Sequence, residues 1–249
     1  MRLKMSKNRY FLNSPNDPNL PLLRNELHKA LAQREFIVEI PVAEDNIIEI
    51  KEENSNAKLK KVFIEKLNYS GNNDSKVEKI WKVDLEKDIT GISPIGKTPE
   101  CAILVLQKYE SSYRLSIILI ELKSTIDNKE LQKIGEKFQC AMSRIYMLLV
   151  LNNHLNSIQG YNESQIYIDF KGILFYQTFS DRSKFTEKDN DKLYLQMYSI
   201  LQTSDKSGIL TCETILKPQD KINIKCFTPQ DNHNLEPEMR INLQSLLSK

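Results

Sequence analysis

The sequence predicts an α/β protein: a central sheet with a β-hairpin near the middle of the chain, flanked by helices. Three observations carry that expectation. RLSIILIELKS (residues 114–124) is apolar at both alternating sets of positions, which marks a central strand covered on both sides. Before it, across the six-residue polar stretch KYESSY, stands a second strand-like run, CAILVLQ (residues 101–107). After Thr125 the apolar spacing changes to a helical period and keeps it to residue 151.

The elements follow in chain order. Residues 1–20 read as a loose polar lead-in. PLLRNELHKALAQ (21–33) puts Leu23, Leu27, Ala30 and Leu31 on one face, with Pro in the first turn, and predicts an amphipathic helix. EFIVEIPV (35–42), NIIEIKE (46–52), KKVFIEKL (60–67) and KIWKVDLE (79–86) predict strands. The 101–124 hairpin comes next, with Ile117 and Leu119 on one face of its second strand and Ile118 and Ile120 on the other. Asp127 and Glu130 form a D-x-x-E capping box for a helix over 128–151. Its stripe is Leu131, Ile134, Phe138, Ala141, Met142, Ile145, Leu148 and Leu149. SQIYIDFKGILFYQTF (164–179) reads as one or two strands and residues 187–202 as a helix. GILTCETIL and KINIKCFT read as a terminal hairpin, and INLQSLLS (241–248) as a short last helix. The domain expectation is a core over 21–180 and a C-terminal extension over 181–249 packed on it.

Composition narrows the function classes. The chain has 249 residues, 40% apolar and 27% charged, enough for one large domain or a core with an appendage. The net charge of +2 does not favour long-duplex binding by overall charge, though a local basic surface such as Lys58, Lys60 and Lys61 remains open. The longest apolar runs, YMLLVL and IILI, fall far short of the roughly 20 residues a spanning helix needs. The N-terminus lacks the apolar stretch of a secretory signal. Cys101, Cys140, Cys212 and Cys226 stand far apart with no C-x-x-C, and predict reduced thiols in a cytoplasmic protein. With His28, His154 and His233 isolated as well, no zinc or iron–sulfur ligand set is visible.

Two readings compete around residue 100. GISPIGKT (91–98) matches a phosphate-binding loop, with Lys97 as its lysine. Such a loop must follow a buried strand and open a helix. Here a charged segment precedes it, a strand follows it, and Pro94 removes a donor N–H. The other reading starts from Glu121 and Lys123, at i and i+2 on one strand and so on one face. Pairing Gln107 with Arg114 across the hairpin puts Glu100 opposite Glu121. Facing like charges repel unless a cation lies between them. Carboxylate oxygens suit Mg²⁺ or Mn²⁺.

Pro99-Glu100, a gap of twenty residues, and Glu121-Leu122-Lys123 resemble the motif of the PD-(D/E)XK nuclease superfamily. The resemblance covers roughly the first 180 residues. It implies a restriction-endonuclease-like core: a central mixed sheet whose hairpin carries the motif, flanked by helices. It implies that Glu100, Glu121 and the Leu122 main-chain carbonyl hold Mg²⁺ or Mn²⁺, and that Lys123 serves the attacking water or the developing charge. Glu is longer than the Asp usual at the first position, and Asp84 and Asp88 compete for it. Glu26 on the first helix, and Lys133, Lys137 and Gln139 on the helix after the motif, are supporting candidates. The implied activity is metal-dependent phosphodiester hydrolysis, in DNA rather than RNA, of a restriction, defence or repair type, by a homodimer. The alternatives are an inactive member of the fold that binds nucleic acid or a partner protein, a nucleotide hydrolase using Lys97, and an interaction protein in which Glu121 and Lys123 are a surface ion pair.

Overall fold

The structure, a computed structural model, describes residues 36–70, 75–87, 98–110, 112–151, 165–179, 208–213, 221–228 and 238–248. The expected helices at 21–33 and 187–202, with Glu26, lie outside them, as do Asp88 and Lys97. The fold is α/β. Strands β1 (Ile37–Ile40), β4 (Lys76–Asp84), β5 (Cys101–Lys108), β6 (Ser112–Ile126), β7 (Gln165–Phe179), β8 (Gly208–Glu213) and β9 (Lys221–Phe227) form a mixed sheet in the order β1-β4-β5-β6-β7-β9-β8. A smaller sheet, in the order β10-β3-β2, is made by β2 (Ile48–Lys51), β3 (Lys61–Glu65) and β10 (Glu238–Asn242). Helix α1 spans Asn128–Leu151 and α2 spans Leu243–Leu247. No helix among the described residues is long and apolar enough to cross a membrane.

Strands β4, β5 and β6 run as an antiparallel meander. Helix α1 then carries the chain back, so that β7 pairs parallel to β6, as a helical crossover requires. Strand β9 continues the sheet parallel to β7, and β8 closes its edge antiparallel. Gly172 permits the close approach there, since a Cβ on it would stand 2.9 Å from Ile224 Cγ1.

The central strands β5 and β6 are buried on both faces, as their doubly apolar pattern requires. Leu115, Ile117 and Leu119 of β6 join Ala102, Leu104 and Leu106 of β5 beneath the apolar stripe of α1. Ile118, Ile120 and Leu122 join Cys101, Ile103 and Val105 on the other face, against Ile48, Ile50, Val62 and Ile64 of the small sheet. The start of α1 is set by Asp127, whose Oδ1 accepts the Glu130 N–H at 2.8 Å. Ser124 Oγ ties the small sheet to the end of β6 by accepting the Lys58 N–H at 2.6 Å.

Candidate functional site

The site is fixed by strand alternation at the C-terminal end of β6. Glu121 follows Leu119 on the α1 face, while Leu122 turns to the small-sheet face and is buried there. The hairpin register pairs Gln107 with Arg114 and ends with Cys101 opposite Ile120. Glu100 is therefore one step beyond the last pair, level with Glu121. Its side chain reaches sideways into the gap, and the Leu122 N–H donates to Glu100 Oε2 at 2.8 Å. The Leu122 main chain thus touches the first acid through its N–H.

Both acids are buried: Glu121 is 0% exposed and Glu100 8%. Burial, and then the charge of Glu121, push the Glu100 carboxyl well above the ordinary carboxylate range, against Lys137 and the N–H groups of Glu100 and Leu122. Glu121 Oε1 accepts from Lys123 Nζ at 2.9 Å and from Lys137 Nζ at 2.5 Å. Glu121 Oε2 is buried and has no hydrogen-bond partner. Burial opposes the charge on Lys123, but Glu121, with Glu100 and Glu130 behind it, raises that ammonium above the ordinary lysine value. Lys123 also lies 3.6 Å from Glu130 Oε2, and Lys133 2.8 Å from Glu130 Oε1. Glu130 is thus shared between the helix cap and the site, its carboxylate turned to lysines where a capping box would return it to the Asp127 N–H. Its backbone serves the helix start and its carboxylate serves two lysines.

The other sequence candidates are placed differently. Asp84, at the end of β4, has its Oδ1 taken up by the N–H groups of Glu86 (3.1 Å) and Lys87 (3.3 Å). It lines, with Glu100, Glu49, Glu53, Glu86 and Lys82, a cavity of about 220 Å³. Burial, then Glu53, Glu52 and Asp84, raise the Glu86 carboxyl as well. Lys137 is the α1 residue that reaches Glu121; Gln139 stands two positions on and offers its main-chain carbonyl to Ser143 Oγ at 2.9 Å. Lys61 pairs with Glu49 (3.1 Å) and Glu238 (3.8 Å) on the small sheet.

Two observations bear on whether these residues could hold a divalent cation. A fully buried carboxylate oxygen lacks a partner, and a second buried carboxylate is raised by burial and then by the first. Among the described residues no group of three or more His, Cys, Asp or Glu side chains is placed to hold a metal ion. A cation would thus draw its remaining ligands from main-chain oxygen, water and phosphate, which suits Mg²⁺. Comparison of the chain with protein-family models, curated proteins and solved structures finds no match.

Proposed function

We propose that this chain is a metal-dependent nuclease that hydrolyses phosphodiester bonds, in DNA by preference, on a core of the restriction-endonuclease-like type. The observation that carries the reading is the pair of buried carboxylates, Glu100 and Glu121, level with each other at the end of a central strand beside Lys123. A divalent cation held by Glu100 and Glu121 would supply Lewis acidity toward the scissile phosphate and the attacking water. Lys123 is held as an ammonium by its acidic neighbours, so it binds a phosphate oxygen and stabilises the negative charge that grows there. Lys137 and Glu130 fix the orientations of Glu121 and Lys123 from α1. The Leu122 N–H holds Glu100 in the sheet gap.

The test is cleavage of plasmid and single-stranded DNA by the purified protein in Mg²⁺, Mn²⁺ or EDTA, beside Lys123→Ala and Glu121→Gln. The expected result is cutting that needs the metal and is lost in both variants. Cutting that survives both substitutions would place the activity elsewhere. A second reading is an inactive member of the fold that binds nucleic acid or a partner. It is favoured by one observation: the Glu121 carboxylate is fully buried and already contacts two ammonium groups. That reading expects no Mn²⁺ binding at Glu121 and no cutting.

A further inference from the structure

A cavity of about 360 Å³ lies away from these acids. It opens on the small-sheet face of the main sheet, over the start of β6 and the middle of β7 and β9, with Ile209 of β8 and Leu246 of α2 on its walls. Arg114 and Glu121 are seven residues apart on β6, so they point to opposite faces about 23 Å from each other. The cavity is therefore separate from the proposed nuclease site, and its occupancy does not depend on that reading.

Its lining is cationic. Arg114, Lys171 and Lys225 are the charged donors, and Asp169 is the one acid among the described lining residues. Arg114 donates to Asp169 Oδ2, and Lys171 Nζ lies 3.8 Å from the same oxygen. Lys225 has no carboxylate partner among the described residues. Its Nζ donates to Ser245 O and Ser248 Oγ, each at 3.1 Å, contacts that hold the ammonium in place without neutralising it. Burial lowers its pKa below the ordinary lysine value, with no acid offsetting the effect. Positive charge fixed in a partly desolvated cavity is a pre-formed anion site. Ile209, 52% exposed, and Leu246 supply an apolar wall beside it. The volume falls at the low end of small-molecule sites and exceeds what a bare phosphate fills.

We infer that this cavity binds a phosphomonoester carrying a small organic body, its phosphate on Lys225 and Lys171 and its body against Ile209 and Leu246. A phosphomonoester carries close to two negative charges at neutral pH. The shared chemistry is that of a free mononucleotide and of the 5′-phosphate end of a short oligonucleotide.

Isothermal titration of the full chain with AMP, adenosine, inorganic phosphate and a 5′-phosphorylated dinucleotide tests this. Saturable binding of AMP or the dinucleotide, tighter than adenosine and phosphate, is expected, and the tighter of the two names the source. Lys225→Gln should weaken that binding about tenfold. Ile209→Asp, which adds a negative charge at an exposed position the fold tolerates, should weaken it similarly and guards against misfolding of the first variant. No saturable binding by the wild type overturns the inference. So does adenosine or phosphate binding as tightly as AMP, or affinity unchanged in both variants.

Discussion

Glu100→Gln should make the protein more stable while removing the proposed cutting. The carboxyl of Glu100 is 8% exposed and stands beside a second buried carboxylate. An acid that ionises less readily in the folded chain than in the unfolded one lowers stability as pH rises above its unfolded pKa. The deficit grows until the pH passes the folded value. An amide at this position keeps an oxygen for the Leu122 N–H, now 2.8 Å from Glu100 Oε2, and has N–H groups to offer the unpartnered Glu121 Oε2. Removing the buried charge recovers about 3 kcal/mol or more of desolvation. The weaker bond to a neutral acceptor takes back about 1 kcal/mol. The lost attraction to Lys137, itself 13% exposed, takes back about another 1 kcal/mol. The net gain is about 1–2 kcal/mol near pH 8, a rise of about 2–8 °C in Tm. It should shrink to a small remainder near about pH 4, where the carboxyl is mostly protonated in both states. Thermal and urea unfolding of both proteins in EDTA at the two pH values measures it. A variant no more stable than wild type at pH 8, or a gain that persists undiminished at pH 4, would refute the reasoning.

Lys137→Met should raise the affinity for Mn²⁺ about tenfold, because it frees Glu121 Oε1 from one of two ammonium groups; an EPR titration that shows equal or weaker binding would refute this. Arg144→Ala should cost about 2–4 kcal/mol in urea unfolding. Its guanidinium, 3% exposed, donates to Leu85 O (2.6 Å) and Lys87 O (2.5 Å) and lies over the Phe36 ring. Cys101 and Cys226 are buried and their thiols are pushed up to about 12, so they should react with an aromatic disulfide reagent only after denaturation. Rapid labelling of either in the folded protein would show that its strand opens.

The sequence alone determined the local pattern, because each signal there is short-range. Alternation across residues 114–124 made β6 doubly buried, and the same period put Glu121 and Lys123 on one face. The Asp127 side-chain cap and the apolar stripe set α1 at Asn128–Leu151. The connection length set the hairpin register, and with it the level of Glu100 against Glu121. Only the tertiary structure decided which α1 side chain meets Glu121, since Lys133, Lys137 and Gln139 look alike as polar helix residues until the helix is laid on the sheet. Glu130 gave a helix-start signal and nothing more until its carboxylate met Lys123. The second sheet depends on β10 pairing parallel with β3 from the far end of the chain, a contact that no local period encodes. The cationic cavity draws its charge from β6, β7 and β9, so that charge exists only where three distant segments converge. Spacing along a chain fixes what repeats within a few residues, and charge from distant segments meets only once packing has set the distances.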